Sequence, residues 1–453
     1  MTYGTSNSRR RFLKQILGAS ACLPFGMGMW SKASETDLSF DDYKALVCVF
    51  LYGGADSANI LVPASPAEYS QYESIRAGLG VARDHLLGLN STQASDYGLF
   101  NVMEPLHRLY ETGDLAFVAN VGSLMEPATK EQLLNNEVER PPQLFSHSDQ
   151  QFQWATSIPG VQTPIGWGGR IADLFGNVNG QSDLSMNITL AGQSIFLAGE
   201  QVVQYALSSD GPESLFFHDI AEPGSLLAET ANRMLSREYG NVLQREFTRI
   251  QNKAISLEQT ISSALEALPP LETSFPESEL GEQLLMVARM IQARHALGND
   301  PVRRQIYLVA AQGWDTHDNQ NDSLPGLLND VAVSMRAFND AMVEMGVNDN
   351  VTAFTSSEFG RTLTNNGNGT DHGWGGHQMV MGGSVNGGDI FGTMPNLELD
   401  GPDDAGQGRI IPTLSVDQFN ATLAKWFGVP DADMDSIFPH LSRFNERDIG
   451  FMA

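Results

Sequence analysis

In "AQGWDTHDNQ" (residues 311–320), Asp315 and His317 stand two apart just beyond the apolar run "QIYLVAA". On extended backbone, residues at that spacing project to the same side, so a carboxylate and an imidazole can converge on one point. A hard oxygen donor beside a neutral nitrogen donor is half of a site for zinc, manganese or a similar cation. A solvated turn leading into the next helix is the competing reading of the same residues. Similar groups follow other apolar runs. "GGADSANILVP" places Asp56 after two glycines, as a ligand or as an Asx-type turn. "PPQLFSHSDQQFQW" carries Ser146 beside His147, a nucleophile candidate or the start of a helix capped by Ser146 or Ser148. "SSEFGRT" offers Glu358 as a ligand and Arg361 as a planar clamp for anionic oxygens, or a surface ion pair. The glycine-rich "NNGNGTDHGWGGHQMVMGG" holds Asp371, His372 and His377, and glycine lets backbone approach a ligand closely. His372, with few apolar neighbours, is the stronger ligand candidate, whereas His377 opens an apolar run and reads as structural.

These groups share a position, the end of a buried strand. The runs 45–52, 115–121, 187–192, 305–311, 351–357 and 377–383 are nearly continuous hydrophobes, as in strands covered on both faces of a largely parallel sheet. Helical patterns separate them. A long charged one covers 226–268, and others cover 280–297 and 327–346. "SVDQFNATLAKWFG" opens on Ser415 as an N-cap and closes on Gly428. Alternating strands and helices predict an α/β, doubly wound, mostly parallel sheet flanked by helices. One domain over 41–450, with a helical insertion at about 222–270, is simpler than two domains. In an open sheet of this kind ligands gather beyond the carboxyl ends of the strands. Most strands here end in Asp, Glu, His or Ser, which points to a metal hydrolase.

The ends and the composition narrow the setting. "SRRRFLK" carries the Arg9–Arg10 pair of a twin-arginine export signal, followed by a short apolar stretch and a small-x-small cleavage site at Ala33. The stretch is too short and glycine-interrupted to span a membrane comfortably, and "ASAC" lacks the leucine expected before an acylated Cys22. The expected product is a periplasmic or secreted protein exported folded, with residues 1–33 removed. Cys48 is then the only cysteine, which excludes a disulfide framework and a thiolate zinc cluster. The formal charge of -27 falls near -32 without the five basic residues of the signal. So acidic a surface repels nucleic acid and anionic membrane.

The ordered motifs "FLYGGADSANILVP", "LFSHSDQQFQW", "GWDTHDNQ", "TSSEFGRT", "GTDHGWGGHQMVMGGSVNGG" and "GRIIPTLSVDQFNATLAKWFGV" closely resemble the exported bacterial family designated domain of unknown function 1501, over about residues 41–440. That family resembles the alkaline phosphatase and sulfatase superfamily. The resemblance implies an alkaline phosphatase-like fold and metal ligands at Asp56, Asp315, His317, Glu358 and His372. It also implies a nucleophile at Ser146 and Arg361 holding the non-bridging oxygens. In that superfamily two cations about 4 Å apart clamp the attacking and leaving oxygens. The sequence departs from the pattern in three ways. Glu358-Phe359 stands where Asp-His is usual, the 315–317 spacing is short, and no cysteine near Ser146 could become formylglycine. The expectation is a hydrolase of a small-molecule or glycan-linked phosphate or sulfate ester. It would use a divalent metal, zinc foremost, with manganese, calcium or magnesium as alternatives. A non-catalytic secreted metal- or glycan-binding protein on the same fold is the rival reading, and phosphomutase-type transfer is disfavoured by export.

Overall fold

The computed structural model describes residues 38–453 apart from 95, 181–183, 214–225 and 299. The expected export signal lies outside the described residues, as does the start of the expected insertion.

A nine-stranded sheet organises the molecule. Its strands are β1 (Lys44–Leu51), β2 (Leu115–Gly122), β3 (Asn187–Thr189), β4 (Tyr205–Ala206), β5 (Arg304–Ala311), β6 (Val351–Ser356), β7 (Gly376–Met381), β8 (Ile390–Phe391) and β9 (Leu414–Ser415). Their order is β8-β2-β7-β6-β1-β5-β3-β4, with β9 also pairing β2. Every pairing is parallel except those of β7, which runs antiparallel to β2 and β6. The sheet is therefore mixed but mostly parallel. The apolar runs became strands because they are buried from end to end: β2 and β5 have no exposed residue.

Seven helices matter below: α1 (Pro66–Arg76), α2 (His147–Thr156), α3 (Leu226–Leu235), α4 (Val242–Glu266), α5 (Glu279–Gln292), α6 (Gln320–Glu344) and α7 (Val416–Phe427). Alternation along β1 sends Ala45, Val47, Val49 and Leu51 into one core with Leu284 and Val287 of α5 and Leu328 and Met335 of α6. On the opposite face Phe354 of β6 packs against Phe419 of α7 and Trp167, with ring centroids 6.0 and 6.2 Å apart. Each such side chain contributes about 1.5–3 kcal/mol when fully buried, so the centre of the sheet is rigid on both faces.

Local signals explain the boundaries. Ser415 accepts from Gln418 N while the Gln418 side chain accepts from the Ser415 backbone, a complete capping box for α7, and Gly428 ends it at φ +116. The single helix expected over 226–268 is instead two. Chain after Leu235 breaks at Gly240, and Asn241 caps α4 by accepting from Leu243 and Gln244. Helix α6 starts seven residues earlier than its apolar periodicity indicates, at Gln320, after Asn319 in the left-handed region. That early start brings α6 up to the 312–319 loop. Among the described residues no helix is long and apolar enough to cross a membrane.

Candidate metal centre

Strands β6, β1 and β5 are adjacent and parallel, so the loops leaving their carboxyl ends open on one edge of the sheet. The loops leaving β1 and β5 touch. Trp314 N donates to Tyr52 O at 3.2 Å. Gly53, at φ +127, lies so close that a Cβ there would sit 2.2 Å from the backbone nitrogen of Asp315. Only glycine serves at that position, on both counts.

Asp315 stands at the centre of what these loops build. Its Oδ1 accepts from Arg361 Nη2 at 3.0 Å. The same oxygen lies 3.2 Å from His317 Nε2 and 3.4 Å from His372 Nε2, and Oδ2 lies 3.5 Å from His147 Nε2. Each imidazole is tied at its other nitrogen. His147 Nδ1 donates to Glu358 Oε1 at 2.8 Å, His317 Nδ1 to Asp371 Oδ1 at 3.1 Å, and His372 Nδ1 to the Phe145 carbonyl at 2.7 Å. A ring that gives its Nδ1 proton to an acceptor presents a lone pair at Nε2. Three such lone pairs are turned toward one carboxylate.

His317 Nε2 and His372 Nε2 are only 2.8 Å apart. Two lone pairs at that distance repel unless a proton or a cation stands between them. Burial of His372 lowers its pKa; the Phe145 carbonyl opposes this, but the charges of His147, Arg361 and His317 add to the lowering. The ring is thus held toward its neutral form, which suits a cation better than a proton. His147, Asp315 and His372 each offer one atom, all within 4.8 Å of one another. Donor atoms around a tetrahedral zinc stand about 3.4 Å apart, and the spacings here bracket that value. The donor set fits a divalent cation. Asp315 itself is desolvated, which raises its pKa, but Arg361 and the three histidines outweigh that and hold it below the ordinary carboxylate value.

Behind this ring lies a buried layer. Glu358, read from the sequence as a ligand, has no exposed side-chain surface. Its Oε1 accepts from His147 Nδ1, from Gln151 Nε2 at 2.9 Å and from Gly53 N at 3.0 Å. It meets the centre through His147. Arg361, read as a clamp for anionic oxygens, is likewise fully covered; one nitrogen serves Asp315, and Nε and Nη1 have no acceptor. Asp56 is deeper still. Its Oδ2 accepts from Arg76 and from Gln320 Nε2, the latter at 2.6 Å, and its Oδ1 has no donor. Arg76 reaches there from α1 and also donates to the carbonyls of Thr362 and Leu363. A guanidinium thus neutralises Asp56 from within the protein.

Ser146 occupies the N-cap position of α2 but makes no capping bond. Its hydroxyl donates to Asp149 Oδ2 at 2.5 Å. Of the residues singled out in the sequence, Asp315, His317 and His372 come together and Arg361 joins through Asp315. Glu358 stands one residue removed, Ser146 precedes His147 at the start of α2, and Asp56 lies beneath. Sequence reasoning gave no role to His147, Asp371 or Arg76. Helical spacing was the available signal for the first: His147 and Gln151, four apart, both bond Glu358 Oε1. His377 is a core residue, its Nδ1 accepting from Asn120 N at 3.1 Å, and burial pulls its pKa down to about 4.

The sequence pattern of a protein of unknown function, DUF1501, matches residues 43–438. The chain belongs to the DUF1501 family. No curated protein matches this DUF1501 member. Among solved structures it is similar to Ps i-CgsB in complex with k-i-k-neocarrahexaose, at 9% identity and a TM-score of 0.34, covering 90% of this chain and 77% of that one. It is also similar to the PsFucS1 sulfatase from Pseudoalteromonas sp., at 11% identity and 0.33, covering 91% and 73%. A third is the soluble domain of lipooligosaccharide phosphoethanolamine transferase A from Neisseria meningitidis, at 9% and 0.32, covering 88% and 94%.

Proposed function

We propose that this DUF1501 protein is a metal-dependent hydrolase of a phosphate or sulfate ester, with His147, Asp315, His317 and His372 holding the cation. One observation carries the reading: three imidazoles, each anchored at Nδ1, turn Nε2 toward a single carboxylate. Anchoring of this kind fixes the tautomer and raises ligand basicity. The cation, zinc foremost, supplies Lewis-acid charge when bound.

The protein's own groups do the rest. Ser146 is the proposed nucleophile, because its hydroxyl is not spent on the helix and already points its proton at Asp149. Asp149 takes that proton as Oγ bonds to phosphorus or sulfur; the ester oxygen leaves with the bonding pair, and water then cleaves the serine ester. Arg361 positions Asp315 from below, and Glu358 positions His147. Export as a folded protein, with removal of residues 1–33, belongs to the same proposal, as does a single domain over 41–450.

A second reading, a secreted metal-binding module without turnover, is favoured by the burial of Arg361, which leaves that guanidinium covered. Metal analysis of the purified protein, followed by a panel of chromogenic phosphate and sulfate esters, separates the two. Bound metal with turnover that Asp315→Ala abolishes supports the hydrolase. Bound metal without turnover supports the binding module, and a protein that binds no metal sinks both.

A further inference from the structure

Along α2, beside the metal centre, is a pocket of about 280 Å³. Its floor comes from the strands that position the centre, through Phe50 of β1, Leu308 of β5 and Phe354 of β6. Trp167, Phe196 and Phe152 add aromatic walls. Polar side chains on the lining are Ser148, Gln151, Gln193 and Ser194, none of them fully buried, with Tyr52 and the buried Ser356 at the strand ends. Burial pushes the Cys48 thiol up to about 12, keeping it neutral. The indole N–H of Trp154, 3% exposed and part of the lining, has no acceptor.

The pocket and the centre share α2. Gln151 lines the pocket and also donates to Glu358, the partner of His147. Ser148 lines it too, and its Oγ is 3.4 Å from that of Ser146. We propose that this pocket receives the ring of an aryl ester, the organic group whose phosphate or sulfate is held at the metal centre. The assignment rests on the hydrolase reading for the second half of that statement only; the ring site stands on the pocket itself. An aromatic floor favours a planar apolar ring through stacking and edge contacts. A sugar would press hydroxyls against the aromatic floor and walls, at a cost for each one left unpaired there. The volume lies just under the about 300 Å³ at which sites for drug-sized ligands begin, which suits one ring and not a chain of them. The unpaired Trp154 N–H would serve a single oxygen or halogen on that ring.

Binding is testable without turnover. The probe is phenol, titrated into the metal-loaded protein and followed by saturation-transfer NMR, with methyl glucoside as the sugar arm. The expected result is a phenol signal that weakens at least about tenfold in Ala155→Trp, which fills the pocket from α2. The same loss is expected in Gln193→Trp, which blocks the rim at an exposed position and leaves the core intact. Unchanged metal content and melting temperature certify each variant as folded. Phenol binding that neither substitution weakens, or methyl glucoside binding that they abolish in place of phenol, overturns the assignment. Failure of the hydrolase reading would instead appear as phenol binding intact with no ester turned over.

Discussion

Asp56 and Asp315 end up a short distance apart beyond neighbouring strands, yet the protein treats them in opposite ways. Asp56 is 1% exposed and is met by Arg76 and Gln320, both reaching it from inside the fold. The Asp315 side chain is 48% exposed and is met by one buried arginine from below and three histidines from the side. The first carboxylate has its counter-charge built in. The second has Arg361 on one side only; its other neighbours are imidazoles, which are neutral when unprotonated. The two acids differ in burial and in the kind of partner: Asp56 meets a guanidinium and an amide, whereas Asp315 adds to its arginine three imidazoles, groups able to hold a metal.

The sharpest test exchanges these roles. Asp315→Ala should abolish metal binding, weakening zinc affinity by at least about 100-fold in a competition titration, while Asp56→Asn keeps its metal. A folded Asp56→Asn protein without metal would break the distinction. Stability should respond the other way. Asp56→Asn leaves Arg76 buried without its counter-ion, at a cost of about 3–5 kcal/mol, read as a shift of the urea midpoint. Asp315→Ala, at a half-exposed position, should move that midpoint far less. Glu358→Gln tests the layer behind His147. It removes the anionic acceptor of Nδ1 and should weaken metal binding by about 10- to 100-fold, with little change in fold. If it matched Asp315→Ala in severity, Glu358 would be a ligand in its own right.

A third acid gives the smallest effect and extends the rule. Asp417 is buried at the start of α7. Burial pushes its carboxyl up to about 8, against the pull of Arg170, the Ser157 hydroxyl and Arg443. Its folded value lies above the unfolded one, near 3.9. Its favourable contribution is therefore complete below about pH 4 and is lost as pH rises toward 8. Asp417→Asn should melt a few degrees above the parent at pH 8, with the gap closing by pH 4. A gap independent of pH would show that the carboxyl does not titrate there.

The sheet was readable because strands buried on both faces leave an unbroken apolar run, and β1, β5 and β6 fall within a residue or so of those runs. Asp315 and His317 were readable as a pair because strand-like geometry makes spacing two a shared side. Burial of the other acids was not. The partner of Asp56 is Arg76, twenty residues on in a helix, and that of Glu358 is His147, 211 residues earlier. No local pattern encodes such pairings. His147 was hidden by its setting: beside Ser146 on extended chain it points away, and only as the first residue of a helix does it line up with Gln151. The helix break at Gly240 was written in the sequence as a glycine before an asparagine cap, but the continuing amphipathic pattern masked it.

The order of strands has a consequence for how the protein comes into being. β1, first in the chain, sits at the middle of the sheet, and both its neighbours come much later: Lys44 pairs with Arg304, and Ala45 with Val351. The centre of the sheet cannot close until β6 has been made, and each closure joins segments hundreds of residues apart. Such topology folds slowly and late. A ribosome-bound chain halted before β6 would hold Asp56 and Asp315 as loose ends. The cluster of His147, Asp315 and His372 therefore assembles late, and no fragment ending before β6 could carry it.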